Sequence, residues 1–248
     1  MMENMAAAIS SNKTLLIIPC FNESQRIQLP AFHEYLKTGN ELCFTDDGST
    51  DGTMELLRKA FGGNPQVRLF RSDKNLGKAG IIRAAALNLI EADRLNGLDW
   101  IGYWDADLAT PLSEVPLFIR FQNDFAPKAL AVFGSRVLRL GADIHRSPLR
   151  HYFGRGFATL ASMMLGVRSY DSQCGAKLFH RSIVSEVFKD EFISRWIFDL
   201  EILLRIGESK VVEYPVSQWH DIPGSKVKIL REIFRVLMDL QRIRDRYN

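Results

Sequence analysis

The chain has few cysteines and no long hydrophobic run, and each absence argues against a class of protein. Its 248 residues hold three cysteines, an odd number at no metal-ligand spacing, so a disulfide framework is not expected. Residues 1–10 lack the basic and apolar segments of a signal peptide, and no apolar run approaches the ~20 residues that a membrane-spanning helix needs. We therefore expect reduced thiols in a cytoplasmic protein that lacks a transmembrane anchor.

The chain also lacks a strong excess of charge of either sign, with a formal net charge of +3 at pH 7. So mild a charge gives no indication of a nucleic-acid partner. With 46% hydrophobic and 25% charged residues, the composition fits one α/β domain with a full core over residues 1–248, or one domain plus a short appendage. No internal repeat or low-complexity linker divides the chain.

Strand and helix patterns alternate through the first half of the chain. Strands are predicted at residues 14–18, 42–45, 67–70 and 100–104, with Pro19 ending the first, and helices at residues 24–37, 50–60 and 78–94. This alternation predicts βαβ units and a mostly parallel, Rossmann-like sheet flanked by helices. Ligands bind such sheets at the carboxyl ends of the strands, so we expect the polar loops there to form one site.

The second half is less regular. Strands are predicted at residues 129–133 and 211–216, and helices at residues 152–165, 182–189, 198–207 and 227–245. The last helix is amphipathic, and one face carries Leu230, Ile233, Phe234, Leu237, Leu240 and Gln241. It fits either a helix packed on the core or a basic helix lying on an anionic membrane. The apolar segment 157–167, flanked by Arg155 and Arg168, has the same two interpretations.

The most informative motif is Asp105-Ala106-Asp107, which directly follows the strand pattern at residues 100–104. Two carboxylates one residue apart at a strand's end can reach one hard divalent cation. Mg²⁺ and Mn²⁺ favour one or two carboxylates, with phosphate oxygens and water completing the coordination. The motif therefore predicts a metal-bridged nucleotide diphosphate.

Three further loops carry residues suited to a nucleotide. In Asp46-Asp47-Gly48-Ser49 the glycine allows a tight turn, and an aspartate can accept hydrogen bonds from ribose or base. Asn22 and Glu23 follow the first strand, where they can contact a base edge or ribose, or simply cap the next helix. Lys78 opens a predicted helix, and a cation beside free backbone N–H groups suits a phosphate.

Together these segments resemble glycosyltransferase family 2, whose members have the GT-A fold. The resemblance covers nearly the whole chain and is greatest for the polyprenyl-phosphate branch, within it the dolichyl-phosphate β-glucosyltransferases. The segments that carry it are Ile17-Ile18-Pro19-Cys20-Phe21-Asn22-Glu23, Thr45-Asp46-Asp47-Gly48-Ser49, Asn75-Leu76-Gly77-Lys78-Ala79-Gly80, Asp105-Ala106-Asp107, Gly134-Ser135-Arg136, residues 171–179, residues 195–201 and Gly224-Ser225-Lys226.

The resemblance implies a role for each site residue. The nucleotide sugar would be held by a half of the domain spanning about residues 13–110, through Pro19, Asn22, Glu23, Asp46, Asp47, Lys78, Asp105, Ala106 and Asp107. Asp105 and Asp107 would also bind the metal. Arg136 and Lys226 would contact the phosphates of donor or acceptor. Two anionic reactants also need cations to bring them together, and the candidates in the acceptor half, about residues 111–248, for contact with the acceptor phosphate are Arg136, Arg150, Lys177, Arg195 and Lys226. The catalytic group would comprise Asp105, Asp107, Arg136, Asp199 and Glu201.

Two departures from the mannosyl branch favour a UDP-sugar over GDP-mannose. That branch usually has a glutamine where this chain has Ala109, and an arginine where it has His220. We therefore expect an inverting, Mg²⁺- or Mn²⁺-dependent transfer of glucose from UDP-glucose to a polyprenyl or dolichyl phosphate. With no anchor in the sequence, the enzyme is expected to act as a peripheral protein on the cytoplasmic face of a membrane.

Alternatives stay open at this stage. A transferase of the same family could use another nucleotide sugar, such as GDP-mannose, or a sugar-hydroxyl acceptor, which would need a carboxylate base. Asp199 and Glu201 are two apart on a predicted helix and do not share a face, so at most one is expected to enter the site. A non-catalytic nucleotide-binding module is the alternative of another class. The five histidines show no ligand spacing, so no histidine-based metal site is predicted.

Overall fold

The computed structural model describes residues 12–145, 148–220 and 229–247, with the side chains at 148–151, 153 and 229–234 outside that description. Its strands are β1 Thr14–Cys20, β2 Glu41–Asp46, β3 Val67–Arg71, β4 Trp100–Trp104, β5 Ala131–Ser135, β6 Asp143–His145, β7 Ala176–His180, β8 Val211–Pro215 and β9 Gln218–His220. Its helices are α1 Leu29–Leu36, α2 Thr53–Phe61, α3 Gly77–Glu91, α4 Val115–Phe125, α5 Pro148–Leu165, α6 Val184–Phe188, α7 Phe198–Ile206 and α8 Ile229–Tyr247.

Seven strands form one central sheet in the order β3-β2-β1-β4-β7-β5-β8. Neighbouring strands are parallel except at β7, which runs antiparallel to both β4 and β5. Strands β6 and β9 form a separate parallel pair. The structure thus confirms the mostly parallel sheet that the sequence pattern predicts.

Helices cover both faces of the central sheet, because successive residues of each strand point to opposite sides. In β1, Leu15 and Ile17 pack into a core shared with α3, α6 and α7, whereas Leu16 and Ile18 pack into a second core with α1, α2 and α4. All four side chains are fully buried. A strand buried on both faces appears in sequence as a continuous apolar run, as residues 14–18 do.

Two predicted boundaries were wrong at the first strand and helix. Strand β1 continues through Pro19 to Cys20, since its ladder with β4 already ends at Ile17 and proline interrupts no bond on that side. Helix α1 begins at Leu29 rather than near residue 24. Pro30 lies in its first turn, where the missing N–H costs no helical hydrogen bond and the fixed backbone angle favours a helix start.

The sequence patterns missed β6, β7, β9 and α4. In β7 the apolar run is broken by Lys177, which nevertheless has 0% of its side chain exposed. A lysine is seldom buried unless an opposite charge is provided by another element, here Asp199 of α7 at 2.6 Å. Local sequence around residues 176–180 gives no indication of that partner, so the strand is not predicted.

Helix α8 packs on the core through a face that shares Leu240 with the predicted one but excludes Leu237. Leu240 and Ile243 are fully buried, while Leu237 is 39% exposed. Asp239 lies on the packed side because Ser194 donates a hydrogen bond to its carboxylate at 2.7 Å. The side chains of Leu230, Ile233 and Phe234 lie outside the described part. Within the described residues, no helix combines the length and apolarity needed to cross a bilayer.

Gly102 in the middle of β4 allows the close approach of β7. A Cβ atom added at this position would lie 2.2 Å from the backbone oxygen of Lys177. We expect Gly102→Ala to lower the free energy of unfolding by about 2 kcal/mol or more, because strand backbones must separate to relieve the overlap. Urea unfolding followed by circular dichroism measures this change.

Gly156→Ala in α5 is the matched control, since a Cβ atom there would have no neighbour within 4 Å. It should leave stability unchanged or raise it by about 0.5–1 kcal/mol, the helical preference of alanine over glycine. Equal unfolding midpoints for both variants would contradict the close β4–β7 approach.

Candidate active site

A cavity of about 260 Å³ opens at the carboxyl ends of the parallel strands. Its lining comes from the loops after β1, β2 and β4 and from the first turns of α3, and comprises Pro19, Cys20, Phe21, Glu23, Asp47, Lys78, Ile81, Asp105, Ala106 and Asp107. Seven of the nine residues predicted to bind a nucleotide sugar thus line one space. The other two, Asn22 and Asp46, do not line it.

The acidic pair, Asp105 and Asp107, is positioned by a tight turn after β4. The Asp105 N–H donates to the Gly175 carbonyl at 3.1 Å, and Asp107 Oδ1 accepts the Ala109 N–H at 3.1 Å. Leu108 adopts a left-handed φ of 54°, which redirects the chain directly after the pair. Burial, then the charge of Asp105, raises the pKa of Asp107. A bound dication would offset that repulsion, and this oxygen-only donor set suits Mg²⁺ or Mn²⁺.

Lys78 places a positive charge against this pair. Its Nζ lies 2.5 Å from Asp105 Oδ1, and its side chain is 36% exposed. Burial alone would lower the pKa of Lys78, but the carboxylates of Asp105 and Asp199 outweigh burial and raise it. Lys78 also lies in the first turn of α3, so both its ammonium and the helix N-terminus favour an anion in the cavity.

Glu23 presents an unsatisfied acceptor in the cavity wall. Arg26 donates to its Oε1, while Oε2 is buried without a hydrogen-bond partner among the described residues. Burial raises the pKa of Glu23 despite the opposing effect of Arg26. Leaving a buried acceptor unpaired costs about 1–3 kcal/mol, so a hydroxyl or N–H of a ligand would be bound favourably there.

The loop before Glu23 is tied to the β2–α2 loop. Asn22 adopts a left-handed φ of 55°, accepts the Thr50 N–H on Oδ1 at 2.9 Å, and donates its own N–H to Ser49 Oγ at 2.9 Å. Asp51 accepts hydrogen bonds from Ser24, which fastens the two loops a second time. Asn22 therefore shapes the cavity from behind.

Asp46 and Asp47 have different surroundings although they are adjacent. Asp46 is fully buried and accepts the Ser49 N–H at 3.0 Å. Asp47 accepts the Leu76 and Gly77 N–H groups at 2.6 and 2.9 Å, which caps the start of α3. Burial raises the pKa of Asp47, and these two bonds oppose the rise. Asp47 therefore connects β2 to the helix that carries Lys78.

A buried polar layer lies beneath the cavity. Tyr103 of β4 donates its hydroxyl to Asp199 Oδ1, and Lys177 Nζ lies 2.6 Å from the same oxygen. Lys177 also donates to the carbonyls of Ser172 and Cys174 at 2.8 and 2.6 Å. Burial, then the charge of Asp199, raises the pKa of Tyr103. Lys177 and Asp199, predicted to act on substrate, neutralise each other inside the protein.

Arg136 forms an ion pair at the edge of this layer. Its Nε and Nη2 donate to the two carboxylate oxygens of Asp171 at 2.6 and 2.7 Å, and its guanidinium lies 5.4 Å from the ring centre of Trp219. Burial alone would lower the pKa of Arg136, but Asp171 raises it. Because two of its nitrogens bond to Asp171 and its guanidinium lies against Trp219, the side chain of Arg136 is held rigidly beside the cavity.

The remaining predicted residues are dispersed. Arg195 donates to the carbonyls of Asn75 and Leu76 at 3.1 Å and bridges to the α3 start from the far side. Glu201 is fully buried and accepts the Ile193 and Ser194 N–H groups at 2.9 Å, so it supports a loop. The side chain of Arg150 and all of Lys226 lie outside the described residues, and their predicted roles remain predictions.

Residues 15–188 match the family model for glycosyl transferase family 2. The chain belongs to this family. A dolichyl-phosphate beta-glucosyltransferase of Trichomonas vaginalis is 33% identical over 247 residues, which cover 93% of this chain and 70% of that one. The protein of that name from Saccharomyces cerevisiae is 31% identical over 256 residues, covering 94% and 74%. These matches confirm the resemblance found in the sequence motifs, and the chain is a glycosyltransferase.

Solved structures show the same fold at low sequence identity. Glucosyl-3-phosphoglycerate synthase from Mycobacterium tuberculosis in complex with UDP has a TM-score of 0.63 and 16% identity, covering 99% of this chain and 84% of that chain. The same synthase with Mn²⁺ and UDP-glucose has a TM-score of 0.60 and 15% identity, covering 97% and 83%. Mannosyl-3-phosphoglycerate synthase from Rubrobacter xylanophilus has a TM-score of 0.65 and 13% sequence identity, and the match covers 94% of this chain and 73% of that chain. The glycosyltransferase therefore has the predicted GT-A fold.

Sequence reasoning missed several residues on which the glycosyltransferase site depends. A Cβ atom on Gly175 would lie 1.7 Å from Asp105 Oδ2, so glycine is required where β7 meets the acidic pair. Tyr103 links Lys78 to Asp199, and its ring centre lies 5.9 Å from Lys78 Nζ. Gly175 and Asp171 lie in a motif that the sequence does reveal, but their contacts are long-range and have no local signal.

Disrupting the Lys177–Asp199 ion pair tests whether Asp199 has a structural or a catalytic role. Asp199→Asn removes the only carboxylate recorded within 4 Å of Lys177 among the described residues. Because an uncompensated charge is left in the core, we expect a loss of about 3–5 kcal/mol in unfolding free energy. Asp124→Asn is the control, since its exposed pair with Arg120 should contribute no more than about 1 kcal/mol. Urea unfolding measures both.

The double variant Lys177→Met/Asp199→Leu removes both charges and should regain part of the stability lost by Asp199→Asn. A base acting on substrate would behave differently: Asp199→Asn would then unfold at the wild-type urea concentration while losing turnover. That result would contradict the structural role.

Proposed function

We propose that this glycosyltransferase transfers glucose from UDP-glucose to a dolichyl or other polyprenyl phosphate, with inversion and with Mg²⁺ or Mn²⁺. The observation that carries the proposal is the cavity itself. Asp105 and Asp107 line it together with Lys78, and Glu23 contributes an unsatisfied hydrogen-bond acceptor to its wall. Relatives named for glucose transfer to dolichyl phosphate, alignable over more than nine-tenths of the chain, support the sugar and the acceptor. The fold neighbour with Mn²⁺ and UDP-glucose supports the donor.

The nucleotide would lie over the carboxyl ends of β1 and β2. Glu23 Oε2 would accept a hydrogen bond from the ribose or the base, and Pro19 and Phe21 would give the cavity an apolar wall. Asp47 would act mainly by fixing the start of α3, since both its oxygens already accept backbone N–H groups. This arrangement places the diphosphate toward the first turn of α3 and the acidic pair.

Asp105 and Asp107 would hold the divalent cation, which when bound offsets the charge that develops on the departing nucleoside diphosphate. The Lys78 ammonium would turn from Asp105 toward a phosphate oxygen of the diphosphate and donate a hydrogen bond to it. This shift is short, because Lys78 already lies in the cavity wall. Gly175 keeps Asp105 against the end of β7 and so preserves the spacing of the pair.

The polyprenyl-phosphate acceptor agrees with the position of the candidate bases. A phosphate monoester is already an anion near neutral pH, so it can attack the anomeric carbon without a general base. Asp199 is paired with Lys177 beneath the cavity, and Glu201 supports the loop at residues 193–194. Neither lines the cavity, as a base for a sugar-hydroxyl acceptor would have to. A single in-line displacement then inverts the configuration of the sugar.

Transfer of radiolabel into organic-extractable product tests the proposal. With polyprenyl phosphate and Mg²⁺ or Mn²⁺, we expect label from UDP-glucose and little from GDP-mannose. Asp107→Ala should lower the rate about a hundredfold or more, because it removes a ligand of the metal that stabilises the charge developing on the leaving group. EDTA should abolish transfer and added Mn²⁺ or Mg²⁺ should restore it, while Asp124→Ala on α4 serves as a control of wild-type rate.

Other outcomes of this assay would support the alternatives. Hydrolysis of UDP-glucose without labelled lipid would indicate a sugar-hydroxyl acceptor. Transfer of label from GDP-mannose would identify GDP-mannose, and not UDP-glucose, as the donor. Nucleotide binding without turnover of any donor would indicate a non-catalytic binding module. Full activity in Asp107→Ala would overturn the role of the acidic pair.

We further propose that the enzyme meets a membrane, on its cytoplasmic face, through the loop after β5. Leu138 and Leu140 are 62% and 102% exposed there, although their side chains are apolar. The loop begins at Arg136, which donates to Asp171, and the segment from Asp171 leads to Gly175 against Asp105, so lipid held by the loop would lie near the cavity. The free, buried cysteines agree with a reducing compartment.

Flotation with vesicles that contain anionic lipid measures this contact. We expect the double variant Leu138→Asp/Leu140→Asp to lose most of the bound fraction, because two charges would have to enter the interface. Phe125→Asp, which alters an equally apolar and 75% exposed side chain on α4, should float like the wild type. Equal flotation of all three proteins would rule out the loop as the contact.

A further inference from the structure

The β6–β9 pair carries a cluster of potential metal ligands away from the acidic pair. In the parallel register His145 lies opposite His220, and Asp143 lies two residues before His145 on the same strand. Side chains alternate along a strand, so these three share the outward face. Ile144 and Trp219 occupy the opposite, inner face and are only 9% and 8% exposed.

The ligand atoms of this triad, Asp143, His145 and His220, already converge. His145 Nε2 lies 2.8 Å from Asp143 Oδ1, and His220 Nε2 lies 2.8 Å from Asp143 Oδ2. All three residues can place one ligand atom within 4.8 Å of the others. Each carboxylate oxygen of Asp143 therefore already lies against one imidazole nitrogen.

We propose that this triad binds a transition-metal dication of the zinc, cobalt or nickel type. Two imidazole nitrogens and one carboxylate oxygen form a donor set that these metals prefer, whereas Mg²⁺ prefers oxygen alone. The site is therefore chemically distinct from the oxygen-only pair of Asp105 and Asp107. Three protein ligands leave a tetrahedral metal one open position, which water would fill.

To accept the metal, the ligand atoms must shift slightly and each imidazole must change tautomer. The proton that Nε2 donates to Asp143 is exchanged through water, so that Nδ1 carries the hydrogen and Nε2 presents its lone pair to the ion. Bonds of about 2.0–2.2 Å at tetrahedral angles separate neighbouring ligand atoms by roughly 3.3 Å, about 0.5 Å more than the present hydrogen bonds. The side chains of His145, Asp143 and His220 are 74%, 48% and 53% exposed, so small χ rotations can provide that distance. The hydrogen bonds to Asp143 preorganise the ligands in the metal-free protein.

A metal at the triad would fasten two segments that flank the active site. The Asp143 N–H bonds to the Ser217 carbonyl at 2.8 Å, so β6 and β9 are already joined at one end. The His220 N–H donates to the Ala109 carbonyl at 3.0 Å, two residues after Asp107. The bound ion would therefore stabilise the strand that supports the acidic-pair turn, and metal binding should raise the melting temperature.

Calorimetric titration of Zn²⁺ into tag-free, EDTA-treated protein tests the proposal. The Asp107→Ala background removes one carboxylate of the acidic pair and so disables that site, and one remaining Zn²⁺ site per chain is expected. His145→Ala and His220→Ala should each weaken Zn²⁺ binding at least about tenfold, and the double variant should abolish it. The visible absorption of bound Co²⁺ gives a second readout. Added Mg²⁺ should displace neither Zn²⁺ in the calorimetric titration nor Co²⁺ in the absorption measurement.

His180→Ala is the matched control, because it removes a histidine whose ring bonds to Ser182 and not to the triad. It should bind Zn²⁺ like the wild type, and Zn²⁺ should raise its melting temperature equally. Circular dichroism verifies that each variant is folded, and Asp143→Asn provides a variant that keeps both imidazoles. Unchanged Zn²⁺ affinity in the double histidine variant, or no Zn²⁺ binding by the Asp107→Ala protein, would overturn the proposal.

Discussion

A buried ion pair between Lys177 and Asp199 supports the edge of the sheet that carries the candidate site. It lets β7 run through the centre of the molecule with a charged side chain in its middle, antiparallel to the strands on both sides. From β7, the Lys177 ammonium holds the carbonyls of Ser172 and Cys174, which brings the following glycine against Asp105. Because an unpaired ammonium is costly in the core, α7, β4 and β7 depend on one another.

Carboxylates in this enzyme divide into those that hold loops and those that remain available to a ligand. Asp47 and Glu201 each accept two backbone N–H groups, so their charge stabilises the protein itself. Asp105 and Asp107 make few such bonds and face the cavity, together with one oxygen of Glu23. Backbone N–H groups engage Asp47 and Glu201, and the buried ammonium of Lys177 engages Asp199; such partners, and not residue type or motif, separate the two roles.

Much of the N-terminal half could be predicted, because its signals are local. Each parallel strand is a short apolar run, each ends in a polar loop, and parallel topology brings those loops to one edge. Residues such as Asp105 and Lys78 are therefore placed together without any knowledge of packing. The C-terminal half was harder to predict, since the burial of Lys177 depends on a partner more than twenty residues away. Likewise, the pairing of His145 with His220 depends on two strands that are too short to predict.

By itself the sequence determined the family, the order of the first strands and helices, and the acidic pair that follows β4. These follow from periodicity and from motifs whose chemistry is carried by adjacent residues. Only the tertiary structure decided which charged residues face the cavity. Asp199, Glu201 and Lys177 carry the same charges in sequence as the residues that line it, but burial and long-range partners engage them within the protein. Charge is a property of the residue, whereas its availability to a ligand is a property of the fold.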